Sequence, residues 1–114
     1  MVTFDDLQFI QTMSGPQLNR WNARLELGNG LMLSVAYGDT VYSGASVSGE
    51  PQTYEVALFF GNDFVPLQVH DDVIGWVAPE EINKLIKEIQ SDPEFVKKKI
   101  DDKENYQKEL NEVE

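Results

Sequence analysis

The chain contains no cysteine, a single histidine (His70) and, over its first 78 residues, no lysine. Each absence removes chemistry. Without cysteine there are no disulfides, no thiolate metal ligands and no cysteine nucleophile. With one histidine, a transition-metal site would have to be assembled mostly from carboxylates, an unusual donor set. No apolar run approaches the roughly 18 residues that a membrane helix needs, so no membrane association is expected. The opening stretch MVTFDDLQFI has neither a basic flank nor a continuous apolar segment, so a signal peptide is not expected either. These features, with the absence of cysteine, fit a soluble, cytoplasmic protein.

Acidic residues are abundant. The chain has 114 residues, 20 of them Asp or Glu, and a formal net charge of −11. Residues 1–78 hold nine acids against Arg20 and Arg24, a net of −7; residues 79–114 hold eleven acids and all seven lysines, a net of −4. Such a surface repels phosphate, so direct nucleic-acid binding is not expected. It suits a basic protein surface, although charge of this size also serves solubility alone. Hydrophobic residues make up 41% of the chain and twelve are aromatic, enough for a packed domain.

The patterning predicts an α+β fold: an antiparallel meander of four or five strands, with a short N-terminal helix and C-terminal helices packed on one face. Phe4, Leu7, Ile10 and Met13 are spaced for a short helix capped by Thr3 and stopped at Ser14-Gly15-Pro16. Alternation in NRWNARLEL turns Trp21, Ala23, Leu25 and Leu27 one way and Asn22, Arg24 and Glu26 the other. Gly28-Asn29-Gly30 suits a tight hairpin. The return strand aligns Leu31, Leu33, Val35 and Tyr37. Residues 38–52 are rich in Gly, Ser and Pro and read as a long loop. A third strand, TYEVALFF, aligns Tyr54, Val56, Leu58 and Phe60. FVPL follows as an edge strand or one that ends at Pro66, which has no N–H to donate.

VHDDVIGW comes next, with Asp71-Asp72 as a turn into a buried strand. Pro79 opens a helix whose Ile82, Leu85, Ile86 and Ile89 form the best helical stripe in the chain, expected to pack on Leu25, Leu33, Val56 and Leu58. Ser91-Asp92-Pro93 breaks it. The rest is a polar helix with a sparse stripe of Val96, Ile100, Leu110 and Val113. The division is therefore a domain over 1–90 and a helical extension of the same domain over 91–114, which could pair two copies.

No constellation points firmly to catalysis. His70, Asp71 and Asp72 could serve a small metal-dependent hydrolase, but the aspartates are adjacent rather than alternate, unlike a calcium loop. None of the serines sits in a nucleophile elbow. YSGASVSG has glycines but lacks the lysine of a phosphate loop. No cofactor is expected. Trp21 and Trp76 lie in apolar strand patterns and read as core anchors, with an interface role as the alternative. The face carrying Met32, Ala36, Ala57 and Phe59 is less polar than a solvated sheet face. It suits either cover by the first helix or a contact surface.

The run LGNGLMLSVAYGDTVYSG, with YEVALF and GWVAPEEINKLI after it, resembles small bacteriophage-encoded accessory proteins of unknown function. The matching positions are Asn29, Gly30, Ser34, Val35 and Gly38, then Tyr54, Glu55, Val56 and Ala57, within about residues 21–89. The resemblance implies no catalytic residues. It implies an accessory role, inhibitors of host defence or host enzymes included, and a place in the host cytoplasm.

The functional expectation is a non-enzymatic acidic module that binds the basic surface of another protein, with carboxylates standing in for phosphates. The candidate residues are Asp39, Glu50, Glu55, Asp63, Asp71 and Asp72, all outside the main apolar faces. A structural or assembly role is the alternative.

Overall fold

Alternating apolar residues build the centre of the sheet. In the computed structural model, which describes residues 2–112, strands β2 (Arg20–Gly28), β3 (Leu31–Gly38) and β5 (Pro51–Phe60) pair antiparallel in sequence. Their register brings Ala23, Val35 and Val56 into one row and Leu25, Leu33 and Leu58 into the next. The β2–β3 hairpin turns through Gly28, Asn29 and Gly30, all at positive φ, as this triplet favours.

The remaining strands are short. β6 (Asp63–Val65) and β7 (Val73–Val77) share the other edge of β5, and β6 stops immediately before Pro66. β4 (Gly44–Ala45) pairs with the start of β5. The α+β class and antiparallel sheet are as expected, but among the described residues the sheet has seven strands, not four or five. β4 and β1 (Ile10–Met13) account for the difference. Neither is long enough to display alternation.

β1 also corrects the N-terminal helix. Only Phe4–Asp6 is helical, as one 3-10 turn. Its cap is as expected: Thr3 Oγ1 accepts from Asp5 N at 3.3 Å and Asp6 Oδ2 accepts from Thr3 N at 2.8 Å. Beyond Leu7 the chain extends and pairs with the start of β2, Ile10 opposite Asn22. Apolar residues three apart fit a helix, but a helix this short is marginal alone. Pairing with β2 satisfies the same backbone groups.

One face of the sheet is covered. Helix α1 (Pro79–Ser91) buries Ile82, Ile86 and Ile89 against Leu25, Leu33, Val56 and Leu58, as expected. Burying each such side chain contributes about 1.5–3 kcal/mol. Pro79 supplies the first helical residue, and Glu81 Oε1 accepts from Ala78 N at 3.4 Å. Phe4 N donates to Asn83 Oδ1 at 2.7 Å, which ties the 3-10 turn to α1. Beyond α1, aromatic rings close the core: Phe9 stacks on Tyr54, and Tyr37 on Trp21 at 5.0 Å. Trp21 is thus half-buried in that cluster.

Helix α2 (Phe95–Glu112) contributes less. Phe95 is buried and Val96 packs against the core, while Ile100 and Leu110 are exposed. Val113 lies outside the described residues. No helix among the described residues is long and apolar enough to cross a membrane.

Candidate functional site

The six candidate carboxylates do not gather on one surface. Asp39 and Glu50 lie on the loop between β3 and β5, and Glu55 on β5 just beyond it. Asp63, by contrast, opens β6 opposite Phe60, at the other end of β5. Asp71 and Asp72 sit in the turn before β7. Several already have structural duties. Asp39 Oδ2 accepts from Asn19 N at 3.0 Å, Asp71 Oδ1 accepts from Val73 N at 3.3 Å, and Lys103 approaches Asp72 Oδ1 at 3.5 Å.

The turn in VHDDVIGW is as expected. Gln68 and Asp71 close it through paired backbone hydrogen bonds, with His70 exposed at its tip. Among the described residues no three His, Asp or Glu side chains converge into a metal-holding group. The strand after the turn differs from expectation. β7 is only half-buried until Val77, and Trp76 is 61% exposed. The reading of Trp76 as a core anchor is therefore corrected.

A β-bulge is the cause. Val77 pairs with Tyr54 and Ile74 with Val56, so Gly75 and Trp76 together oppose Glu55. The extra residue rotates the strand and turns Trp76 away from the core. Trp76 itself sits at φ +52°, in the left-handed region. For a bulky side chain this is a rare conformation, and such strain concentrates at functional sites.

Trp76 is held within a small network. Its backbone N–H donates to the Tyr42 carbonyl oxygen at 2.9 Å, and the two rings lie 5.3 Å apart. Glu55 Oε2 accepts from Tyr42 N at 2.9 Å. Tyr42 passes directly over Gly75, where a Cβ would stand 2.5 Å from the Tyr42 Cβ. Any side chain at 75 would push the tyrosine away. Below, Thr53 Oγ1 is buried with no hydrogen-bond partner among the described residues. The corner therefore offers two adjacent exposed rings on a hydrogen-bonded frame. Glu55 is the carboxylate held against this corner; Asp39 and Glu50 belong to the same loop, with Asp39 on Asn19 N. Rings of this kind bind cations face-on.

Other surfaces show less chemistry. A groove of about 690 Å³ runs between the β2–β3 hairpin and the start of α2, over Leu31, Phe60, Val96 and Ile100. Asp92 stands on its rim. The hydrogen bond from Lys98, at 2.9 Å, and that from Glu94 N hold the Asp92 carboxyl below its ordinary range. Burial, and then Tyr37, push the Tyr54 hydroxyl above its usual value, inside the aromatic cluster rather than in a cleft.

Sequence reasoning selected Glu55 but passed over Tyr42 and misplaced Trp76. The available signal was Gly75, a glycine within an apolar strand, which often marks a bulge. Comparison with protein-family models, with curated proteins and with solved structures finds no match.

Proposed function

We propose that this protein is a non-enzymatic binding module that takes a basic protein surface as its partner, using the Trp76–Tyr42 corner with Asp39, Glu50 and Glu55. The observation that carries this reading is the exposure of Trp76 in a strained backbone conformation, braced by Tyr42 and Glu55. An exposed tryptophan on a rigid frame loses little entropy on binding, and Trp, Tyr and Arg dominate interface energetics. A partner arginine or lysine can lie over the rings while the loop acids neutralise it. Net charge of −11 speeds encounter with such a partner. A phage-type inhibitor of a host defence or nucleic-acid-directed enzyme, the role that the sequence resemblance implies, is one form of this reading.

The test is parallel affinity capture with wild-type and Trp76→Ala baits, washed at low and high salt. A basic protein retained by the wild type, released by salt and missing from the Trp76→Ala bait is the expected result. The same proteins captured by both baits would contradict the proposal.

A further inference from the structure

Among the described residues, no helix lies on the second face of the sheet. Register places Arg20, Asn22, Arg24 and Glu26 of β2 on it, with Met32, Ser34 and Ala36 of β3. Glu55, Ala57 and Phe59 of β5 follow, then Phe64 of β6 and Val73 of β7. The N-terminal 3-10 turn packs with α1 on the opposite face, Phe4 N donating to Asn83 Oδ1, so the expected alternative of cover by the N-terminal helix does not apply. The aromatic rim is formed by Phe59 and Phe64, with ring centres 4.5 Å apart. Phe64 is 49% exposed. Between this rim and Arg20 lies a shallow depression of about 90 Å³ over Ser34, Ala36, Ala57 and Val73.

The charge of this face sets it apart. Its strand positions hold two arginines, the only ones in the chain, and two glutamates. The face is neutral on a chain of net −11. Two copies repel one another through most of their surface, but not here. The signs also match: a twofold axis through the face can set Arg24 of one copy against Glu26 of the other, while Glu55 stays on Tyr42 N.

The size is adequate. With β1, whose Ile10 pairs with Asn22, as the fifth strand position beside β2, β3, β5 and the edge shared by β6 and β7, five positions at about 4.8 Å spacing, roughly seven residues long at about 3.3 Å each, span about 550 Å² on one copy. Two such faces exceed about 1,000 Å², the lower range of specific interfaces. The small residues at the centre allow two sheets to approach to the usual separation of about 10 Å.

We infer that this open face is a homodimer interface, in which a second copy of the chain packs sheet against sheet with twofold symmetry. The assignment differs from pairing through α2, whose exposed Ile100 and Leu110 offer a narrower stripe.

Sedimentation equilibrium on the full chain, up to about 200 µM, tests the inference. The wild type should approach twice 12.9 kDa. Ala57→Arg, at the centre of the face, and Phe64→Arg, at its exposed rim, should each raise the dissociation constant at least about tenfold. Phe64→Arg disturbs little of the core and keeps the test valid if Ala57→Arg fails to fold. Ile100→Lys with Leu110→Lys should leave the dimer intact. A wild type that stays monomeric throughout would overturn the inference. So would a dimer that resists the face variants or dissociates only on the α2 substitutions.

Discussion

The two faces of the sheet are made of similar strands and differ in cover and composition. On the covered face, Leu33, Val35, Val56 and Leu58 are wholly buried beneath Ile82, Ile86 and Ile89. On the open face the rows hold smaller and more mixed residues, Ser34, Ala36 and Ala57 among Arg24, Met32 and Phe59. The covered face needs only apolar volume, and any tight fit stabilises it. The open face combines apolar area with balanced charge, as surfaces that meet other molecules do. At the corner beside β7 the contrast is sharpest: a single bulge moves Trp76 from the first environment to the second.

The largest expected effect lies on the covered face. Ile86→Ala should destabilise the fold by about 2–5 kcal/mol, the range for deleting a fully buried aliphatic side chain. Chemical denaturation would measure it, and a loss below about 1 kcal/mol would mean that α1 is not the lid of the core.

Trp76→Gly should cost about 1 kcal/mol or less, although it removes the larger side chain. Glycine adopts φ +52° without steric penalty, and this relief offsets the lost contact with Tyr42. If denaturation gave a loss comparable to that of Ile86→Ala, Trp76 would be a core residue after all. Gly75→Ala is the complementary change. It should displace Tyr42 and alter near-ultraviolet circular dichroism while leaving the far-ultraviolet spectrum unchanged.

Tyr54 makes the aromatic end of the covered face sensitive to alkali. Burial raises its pKa above the ordinary 10.0, with a further push from Tyr37. A raised folded-state pKa means that the native state holds the proton more tightly. The associated stability is fully present below pH 10 and is lost as pH rises through the folded value. Tyr54→Phe should flatten that alkaline decline in a pH series of melting midpoints.

The smallest effect belongs to the exposed Lys98–Asp92 pair. The Asp92 pKa is lowered, chiefly by Lys98, so its contribution is present above the unfolded value and fades as pH falls through the folded one. Solvent screens it. Asp92→Asn should leave the melting midpoint at neutral pH unresolved from wild type, with no dependence on salt.

Legibility in the sequence follows the same division. The rows of β2, β3 and β5 were readable because burial on one side forces a period of two, and α1 because it forces i, i+3, i+4, i+7. β1 was not, since Phe4, Leu7, Ile10 and Met13 fit a helical spacing and only pairing with β2 decides otherwise. The outward turn of Trp76 was hidden for another reason. A bulge shifts facing by one residue and leaves the local composition unchanged, so VIGWV reads as buried until the partner strand is known. The acids were visible individually, but their separation between the β3–β5 loop and the far end of β5 depends on the register of the sheet.

The central claim is that recognition lies at the Trp76 corner rather than in net charge at large. The most direct test is the association rate of the captured basic partner, at low and high ionic strength, with two charge-neutralised proteins. One carries Asp39→Asn with Glu50→Gln, in the loop of the corner; the other carries Asp63→Asn with Asp71→Asn, away from it. Both lose the same charge. The account predicts a fall of at least about tenfold for the first pair, steepest at low salt, and a change within about twofold for the second. Equal effects from the two pairs would contradict it.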